Sequence, residues 1–293
     1  MLLVNVIGFT YAFILGPIQG RRAPSSFTTI EIPPVIPSYF DYLRRISHLD
    51  FGILPNGGTV ADVIGRAMAA SAGLLAVAFI LSIILGLALG RAGVRSDQPV
   101  VSSWLALLST FGQSSPTFYI GVLFISVSIA YLLWGPGDMV LLPFQGFGWD
   151  AHMVLPVLAL MVRPTLQIAH TTATLLSDEL GKQYVIALQG MGHSRSAIRG
   201  RFAFRNILAL VILVIAGSWR LLIVELITLE LLFNWPGLGR LFSRTLIPTS
   251  QSTYFLFPPR LAALLPVLVF FFMIADLIAS VVARQLDPRL TDS

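Results

Sequence analysis

Apolar positions in this chain come in long runs rather than in alternation. A helix rises about 1.5 Å per residue, so crossing a hydrocarbon layer about 30 Å thick takes roughly 20 apolar residues. Runs of that kind are Met1–Gly20, Ala67–Gly90, an uncharged stretch from Pro99 to Gly137, and three runs with isolated charges, Ala151–Leu176, Ile207–Phe233 and Leu256–Ala283. The pattern predicts six transmembrane helices. Ten-residue segments of period-2 alternation do not recur, which argues against a membrane β-barrel. The predicted organisation is a first helix in 1–20, a loop in 21–66, and a five-helix core in 67–289 with a long loop at 177–206. Within the first loop, Pro33-Pro34-Val-Ile-Pro37 is expected to be a non-helical linker. The segment Tyr39–Leu49 that follows places Tyr39, Tyr42, Leu43 and Ile46 on one side of a short amphipathic helix.

Composition agrees. Of 293 residues 56% are hydrophobic and 11% charged, against about 25% charged in an ordinary soluble domain. The mean hydropathy is +0.82. Cysteine is absent, which removes thiolate metal sites and thiol nucleophiles. The net charge of +5 is read from its distribution rather than as a sign of nucleic acid binding, which is not expected. Met1–Gly20 lacks a basic leader and is taken as a retained span. Counting arginine and lysine over short loops sets orientation. One side would hold Arg91, Arg95, Lys182, Arg195, Arg199, Arg201, Arg205, Arg284 and Arg289, and the other Arg21, Arg22, Arg44, Arg45, Arg240 and Arg244. Both termini are therefore expected in the cytoplasm.

No G-x-x-x-x-G-K-[ST] loop, G-x-S-x-G elbow or H-E-x-x-H pair occurs, and His48, His152, His170 and His193 lie far apart in sequence. No catalytic residue, metal ligand or cofactor is expected in this chain. Charges inside the predicted spans are the first functional candidates, because a charge at the bilayer centre costs about 2.5–3.5 kcal/mol on insertion scales and normally faces protein or water. They are Arg163, Arg220, Glu225, Glu230 and Asp276. They could line a path for a hydrophilic solute or form interhelical or subunit ion pairs. Arg220 and Glu225 are roughly 140° apart on one helix and need partners elsewhere. Arg163 precedes Pro164, and its guanidinium is expected to satisfy carbonyls that the proline frees.

The loop at 177–206 is expected to begin with a short helix carrying Asp178 and Glu179 near its positive end and an apolar edge of Tyr184, Val185 and Leu188. Gly190 and Gly192 would supply the turn that ends it. After the fifth span, Pro236 is expected to stop the helix, with Gly237 and Gly239 supplying positive φ for a tight turn back toward the membrane. By composition alone the first of these segments could be a plain topology-fixing loop.

In chain order these blocks resemble the permeases of ABC-type importers of the dipeptide, oligopeptide and nickel family. Tyr184-Val185, Gly192 and Arg205-Asn206 are similar to that family's cytoplasmic coupling segment, with Gly190 replacing an alanine. Glu230-Leu-Leu-Phe-Asn-Trp-Pro236-Gly237-Leu-Gly239-Arg-Leu241 resembles its Glu-x-x-Phe-x-x-Pro-Gly-Leu-Gly-x-Leu block. Asp276 and Asp287-Pro288-Arg289 are similar to its closing signature, Asp50-Phe51-Gly52 and Ser115-Pro116-Thr117-Phe118 agree more weakly, and the whole runs from 50 to 289. The chain departs from the family at Leu208-Ala209, where a Leu-Pro is usual. It also departs at His170, Ala173, Arg220 and Glu225, and it lacks an Arg-Asp pair before the last span.

The resemblance implies an all-α integral membrane protein with the importer permease fold, in a bacterial or archaeal plasma membrane. It implies a second homologous permease subunit, two cytoplasmic ATPase subunits that hold ATP and magnesium, and an extracytoplasmic solute-binding protein. The solute would be peptide-like or a nickel chelate. Asp178, Glu179, Tyr184, Val185, Gly190 and Gly192 would form the contact with an ATPase, and Pro236, Gly237 and Gly239 an extracytoplasmic turn. The rival readings are a stand-alone secondary transporter or channel, and a scaffold subunit that keeps the fold without transport.

Overall fold

The computed structural model describes residues 2–19, 35–48, 50–53, 57–95, 99–135, 142–246 and 258–286. Among these the extended pairing is confined to two isolated bridges, Ile53 with Thr59 and Val94 with Val101. Everything else regular is helical. The chain is an all-α membrane protein. Pro33, Pro34, Arg21, Arg22 and Asp287–Arg289 lie outside the described residues, as does the side chain of Asp276 in the last helix.

The helices are α1 (Leu2–Gln19), α2 (Val35–Ser47), α3 (Val60–Ala92), α4 (Ser103–Ser114), α5 (Thr117–Trp134), α6 (Val154–Leu180), α7 (Gln183–Gly190), α8 (Arg195–Ala197), α9 (Phe204–Leu232), α10 (Leu238–Leu246) and α11 (Pro258–Leu286). Among the described residues four segments are long and apolar enough to cross a membrane: Val60–Ala92, Thr117–Trp134, Ala151–Leu180 and Arg195–Leu232. Shorter apolar stretches, Leu3–Phe13 and Arg260–Phe271, lie in α1 and α11.

Three expectations change. The uncharged run Pro99–Gly137 is two helices, broken at Ser115-Pro116, because proline offers no N–H and disfavours helical geometry in the residue before it. The second span begins at Val60, seven residues before Ala67. Pro37, expected in a non-helical linker, sits in the first turn of α2. A first-turn N–H has no intrahelical acceptor, so its loss there is harmless.

Packing divides the chain into two compact units, the described residues up to Gly73 with Asn234–Met273, and Leu74–Phe233 with the chain from Ile274. In the first, Val60, Ile64 and Ala67 of α3 pack on Leu238 of α10 and Ala263 and Leu264 of α11. Phe9 of α1, Tyr42 of α2 and Ala262 of α11 form a second cluster, joined by Phe13, Tyr39 and Ile46. The apolar side of α2 is thus used against α1. A polar tie crosses this cluster: Asn5 Nδ2 donates to Ala262 O at 2.6 Å and to the Tyr42 hydroxyl at 3.3 Å, while the Tyr39 hydroxyl donates to Asn5 Oδ1 at 3.0 Å.

In the second unit α6 is central. Ala169, Ala173 and Leu176 of α6 are buried with Leu105 of α4 and with Ile207 and Val211 of α9. α3 also comes close to α6 through Gly86 and Gly90, a G-x-x-x-G spacing that lets membrane helices approach backbone to backbone. A Cβ at Gly90 would lie 2.7 Å from the Ala169 carbonyl oxygen, and one at Gly86 would lie 3.0 Å from that of Thr165. On α4 and α5, Phe111, Tyr119, Val127 and Trp134 stay exposed, as expected where lipid replaces water as solvent.

This contact makes a direct expectation. Gly90→Ala lowers the unfolding temperature of the detergent-solubilised protein, by the equivalent of about 1–3 kcal/mol for an overpacked site. Gly217→Ala, where a Cβ meets nothing within 4 Å, leaves it unchanged or raises it. Equal midpoints for both variants would show that α3 and α6 do not make this approach.

Candidate functional site

The segment at 177–206 folds differently from its sequence-based expectation. α6 continues through Asp178 and Glu179 to Leu180, so the two carboxylates occupy the last turn of a long helix and not the first turn of a short one. That corrects the reading of a favourable dipole position. A carboxylate at a helix C-terminus is disfavoured by the partial negative charge there. Glu179, only 6% exposed, has compensating donors: Tyr184 OH at 3.0 Å and Asn206 Nδ2 at 2.9 Å reach its Oε1, and the Lys182 ammonium reaches Oε2. Asp178 is exposed. Burial, and then the hydrogen bond to the Glu179 carboxylate, push the Tyr184 hydroxyl up to about 12. It therefore stays protonated, and a donor, across the physiological range.

Those donors come from three places: the link after α6, the first turn of α7, and the first turn of α9. One buried carboxylate thus fastens the eight-residue α7 to the ends of two long helices. Within α7 only Val185 is buried, while Ile186 and, just beyond the helix, Met191 are 70% and 74% exposed. The helix ends in a paired C-cap. Gly192 N–H donates to Gln189 O at 3.0 Å and His193 N–H to Leu188 O at 3.1 Å, the 5→2 and 6→1 bonds that require a left-handed residue between them. Gly192 is that residue, at φ +84°. Gly190 is the last helical residue and takes no positive φ. Ser194 then caps the next helix by accepting from Ala197 N–H at 3.3 Å. A π-helical stretch, Ile198–Ala203, leads into α9.

The intramembrane charges sort themselves by partner. Arg163 of α6 pairs with Glu225 of α9 through Nη1 and Oε1, and Thr117 at the start of α5 donates to Glu225 Oε2. The Arg163 guanidinium is therefore engaged by a carboxylate, not by carbonyls freed at Pro164. Three helices meet at this one acid, whose side chain is 9% exposed. Arg220 is exposed on α9, and Glu230 is fully buried on the same helix. Thr117 was not a candidate by sequence; the signal was its place directly after the helix-breaking Pro116. Asn206 is likewise legible in the sequence only as part of the Arg205-Asn206 pair, since nothing local shows that it faces Glu179.

The turn after α9 also differs. The helix ends at Leu232, and the left-handed residue is Asn234 at φ 57°. Neither Gly237 nor Gly239 has positive φ, and Pro236 lies beyond the end it was expected to cause. Trp235 is fully buried, its indole N–H donating to Ala70 O at 3.1 Å, and Leu238 N–H donates to Ser71 Oγ at 2.8 Å. Gly239 is a buried residue of α10. Among the described residues no group of three or more His, Cys, Asp or Glu could hold a metal ion.

Residues 78–292 match the family model described as binding-protein-dependent transport system inner membrane component. The chain is similar to a dipeptide transport system permease protein of Lactococcus lactis subsp. cremoris, with 25% identity over 262 residues covering 88% of this chain and 81% of that one. It is also similar to oligopeptide transport system permease proteins. One is from Salmonella typhimurium, at 27% identity over 77% of this chain and 75% of that one. Another is from Bacillus subtilis, at 24% identity over 87% of this chain and 81% of that one.

The Arg163–Glu225 pair separates a packing role from a path-lining role. Arg163→Met leaves a buried carboxylate without its cation and is expected to cost about 3–5 kcal/mol of stability. Combining it with Glu225→Leu is expected to restore most of that, read as the unfolding midpoint in detergent. Both variants melting as wild type while solute uptake is lost would assign the pair to the path instead.

Proposed function

We propose, from the premise that this chain belongs to the family of binding-protein-dependent transport system inner membrane components, that it is one permease subunit of an ATP-driven importer for peptide-like solutes. Its relatives, named as dipeptide and oligopeptide permeases, support the solute class. The sequence contains no G-x-x-x-x-G-K-[ST] loop. It would work with a second permease subunit around a shared path, two cytoplasmic ATPase subunits and an extracytoplasmic binding protein. Both termini and the 177–206 segment would face the cytoplasm.

The observation that carries this reading is the fastening of α7. A helix of eight residues is marginal on its own in water. Here Val185 seats it, the Glu179 carboxylate ties its first turn to α6 and α9, and a paired C-cap fixes its end. A small, rigid, exposed element joined to two membrane helices is suited to take up a displacement from a partner and pass it on as rigid-body movement. ATP-driven closure of the ATPase subunits would push α7, and α6 and α9 would tilt with it between inward-open and outward-open arrangements. Chemistry belongs to the partner subunits; this chain transmits movement.

Gly192 is the residue through which the fastening can be tested. A side chain meets no clash there, but a left-handed non-glycine residue costs about 1–2 kcal/mol, or roughly tenfold in an equilibrium. Gly192→Val is expected to insert at the wild-type level and to cut uptake by about that factor relative to ATP hydrolysis, measured together in vesicles containing the whole assembly. Uptake at the wild-type level, with hydrolysis unchanged, would remove α7 from the coupling path.

A further inference from the structure

We infer that the second unit carries a binding site for a phosphoryl anion, of the kind a phospholipid headgroup presents, in a cavity of about 180 Å³ lined by Arg95, Arg195, Arg199, Leu180, Val185 and Gln189, together with Pro99 and Ile198. The site goes beyond the importer reading and does not depend on it.

Three arginines from two separate segments converge on this one cavity. Arg95 follows the end of α3, and Arg195 and Arg199 open the helical run that becomes α9. No carboxylate is among the lining residues, and among the described residues Arg95 and Arg199 enter no ion pair. On the packed elements, the buried acid Glu179 already has Lys182, Tyr184 and Asn206 as donors. Asp178 is exposed beside it, and Asp97 follows Arg95 by two residues in sequence. A fourth guanidinium, Arg91, lies at the same end of the unit, 4.5 Å over the Phe204 ring.

Guanidinium groups present planar forks that match phosphate oxygens two at a time. The cavity sits where α3 and α6 end and the run into α9 begins, at one end of three segments long and apolar enough to cross a membrane. Basic pockets formed between membrane helices take anionic headgroups. Its remaining walls suit the glycerol end of a lipid: Leu180, Val185 and Ile198 are apolar, and Gln189 adds an amide. Val185 is also the residue that seats α7, so an occupant would brace α7 at that residue.

The test uses the full chain, purified with the subunits that accompany it, in nanodiscs of equal parts phosphatidylglycerol and phosphatidylcholine. Lipid retained after mild detergent extraction is identified by mass spectrometry. Wild type is expected to retain phosphatidylglycerol in preference. The double variant R195Q/R199Q is expected to lose that preference by roughly tenfold, R195K/R199K to keep part of it, and R201Q, whose residue does not line the cavity, to keep all of it. D97N is expected to retain at least as much as wild type.

If wild type shows no lipid preference but binds inorganic phosphate saturably, with the binding lost only in R195Q/R199Q, the site holds and its ligand is soluble. Equal retention of lipid and phosphate by wild type, R195Q/R199Q and R201Q would overturn the site. So would loss of the accompanying ATPase subunits from R195Q/R199Q without any change in lipid or phosphate, which would reassign the arginines to protein docking. Variants are compared only at equal elution volume and helical content, and R195K/R199K carries the comparison if the glutamine pair does not fold.

Discussion

A peptide N–H in hydrocarbon has no water to turn to, and an unpaired one costs several kcal/mol. Among the described residues, three departures from the helix occur where another group supplies the bond. At the α4–α5 break, Ser115 N–H still donates to Phe111 O, and the next residue is a proline with no N–H to satisfy. After α9, Phe233 N–H returns to Leu229 O, the Trp235 indole finds Ala70 O, and the first free N–H of α10 finds Ser71 Oγ. After α7 the paired cap uses both free N–H groups at once. The breaks are therefore fixed joints, and the helices between them can behave as rigid bodies.

The same scarcity of solvent governs the charges. Glu225 and Glu179 are both largely buried, and each is held by more than one donor from more than one helix. The two arrangements differ in kind. Glu225 is tied to an arginine and a hydroxyl on neighbouring spans, a lateral clamp across α5, α6 and α9. Glu179 collects donors from a helix end, a short helix and the next helix start, so it fastens successive elements along the chain. An isolated charge in either place would be costly; a multiply donated one fixes geometry.

Length and apolar content made the spans legible, because a run of twenty apolar residues has few other uses. The paired glycines of α3 were legible in principle too, since G-x-x-x-G is a spacing, although only the structure shows α6 on the other side. What the sequence could not assign was partnership. The period of α9 shows that Arg220 and Glu225 point apart, but nothing in it identifies Arg163, sixty-two residues earlier, as the partner of Glu225. The end of α6 was misplaced for a related reason. Asp and Glu are good first-turn residues, and local preference favoured a new helix there, whereas burial of Glu179 against Asn206 favoured continuing the old one. The turn after α9 misled by its glycines: Asn, the other residue that tolerates a left-handed backbone, was used instead.

These placements bear on how movement could enter the membrane. α7 has little apolar surface of its own in the core, so its position depends on the Glu179 donors and on Val185. A push on its exposed side therefore meets resistance from α6 and α9 together and not from either alone. Arg163 and Glu225 then join those same two helices again, deeper along their lengths, with α5 added through Thr117. Two cross-links on one helix pair restrict them to moving as a block. A single link would let them pivot independently, and the short helix would then swing without carrying the spans with it.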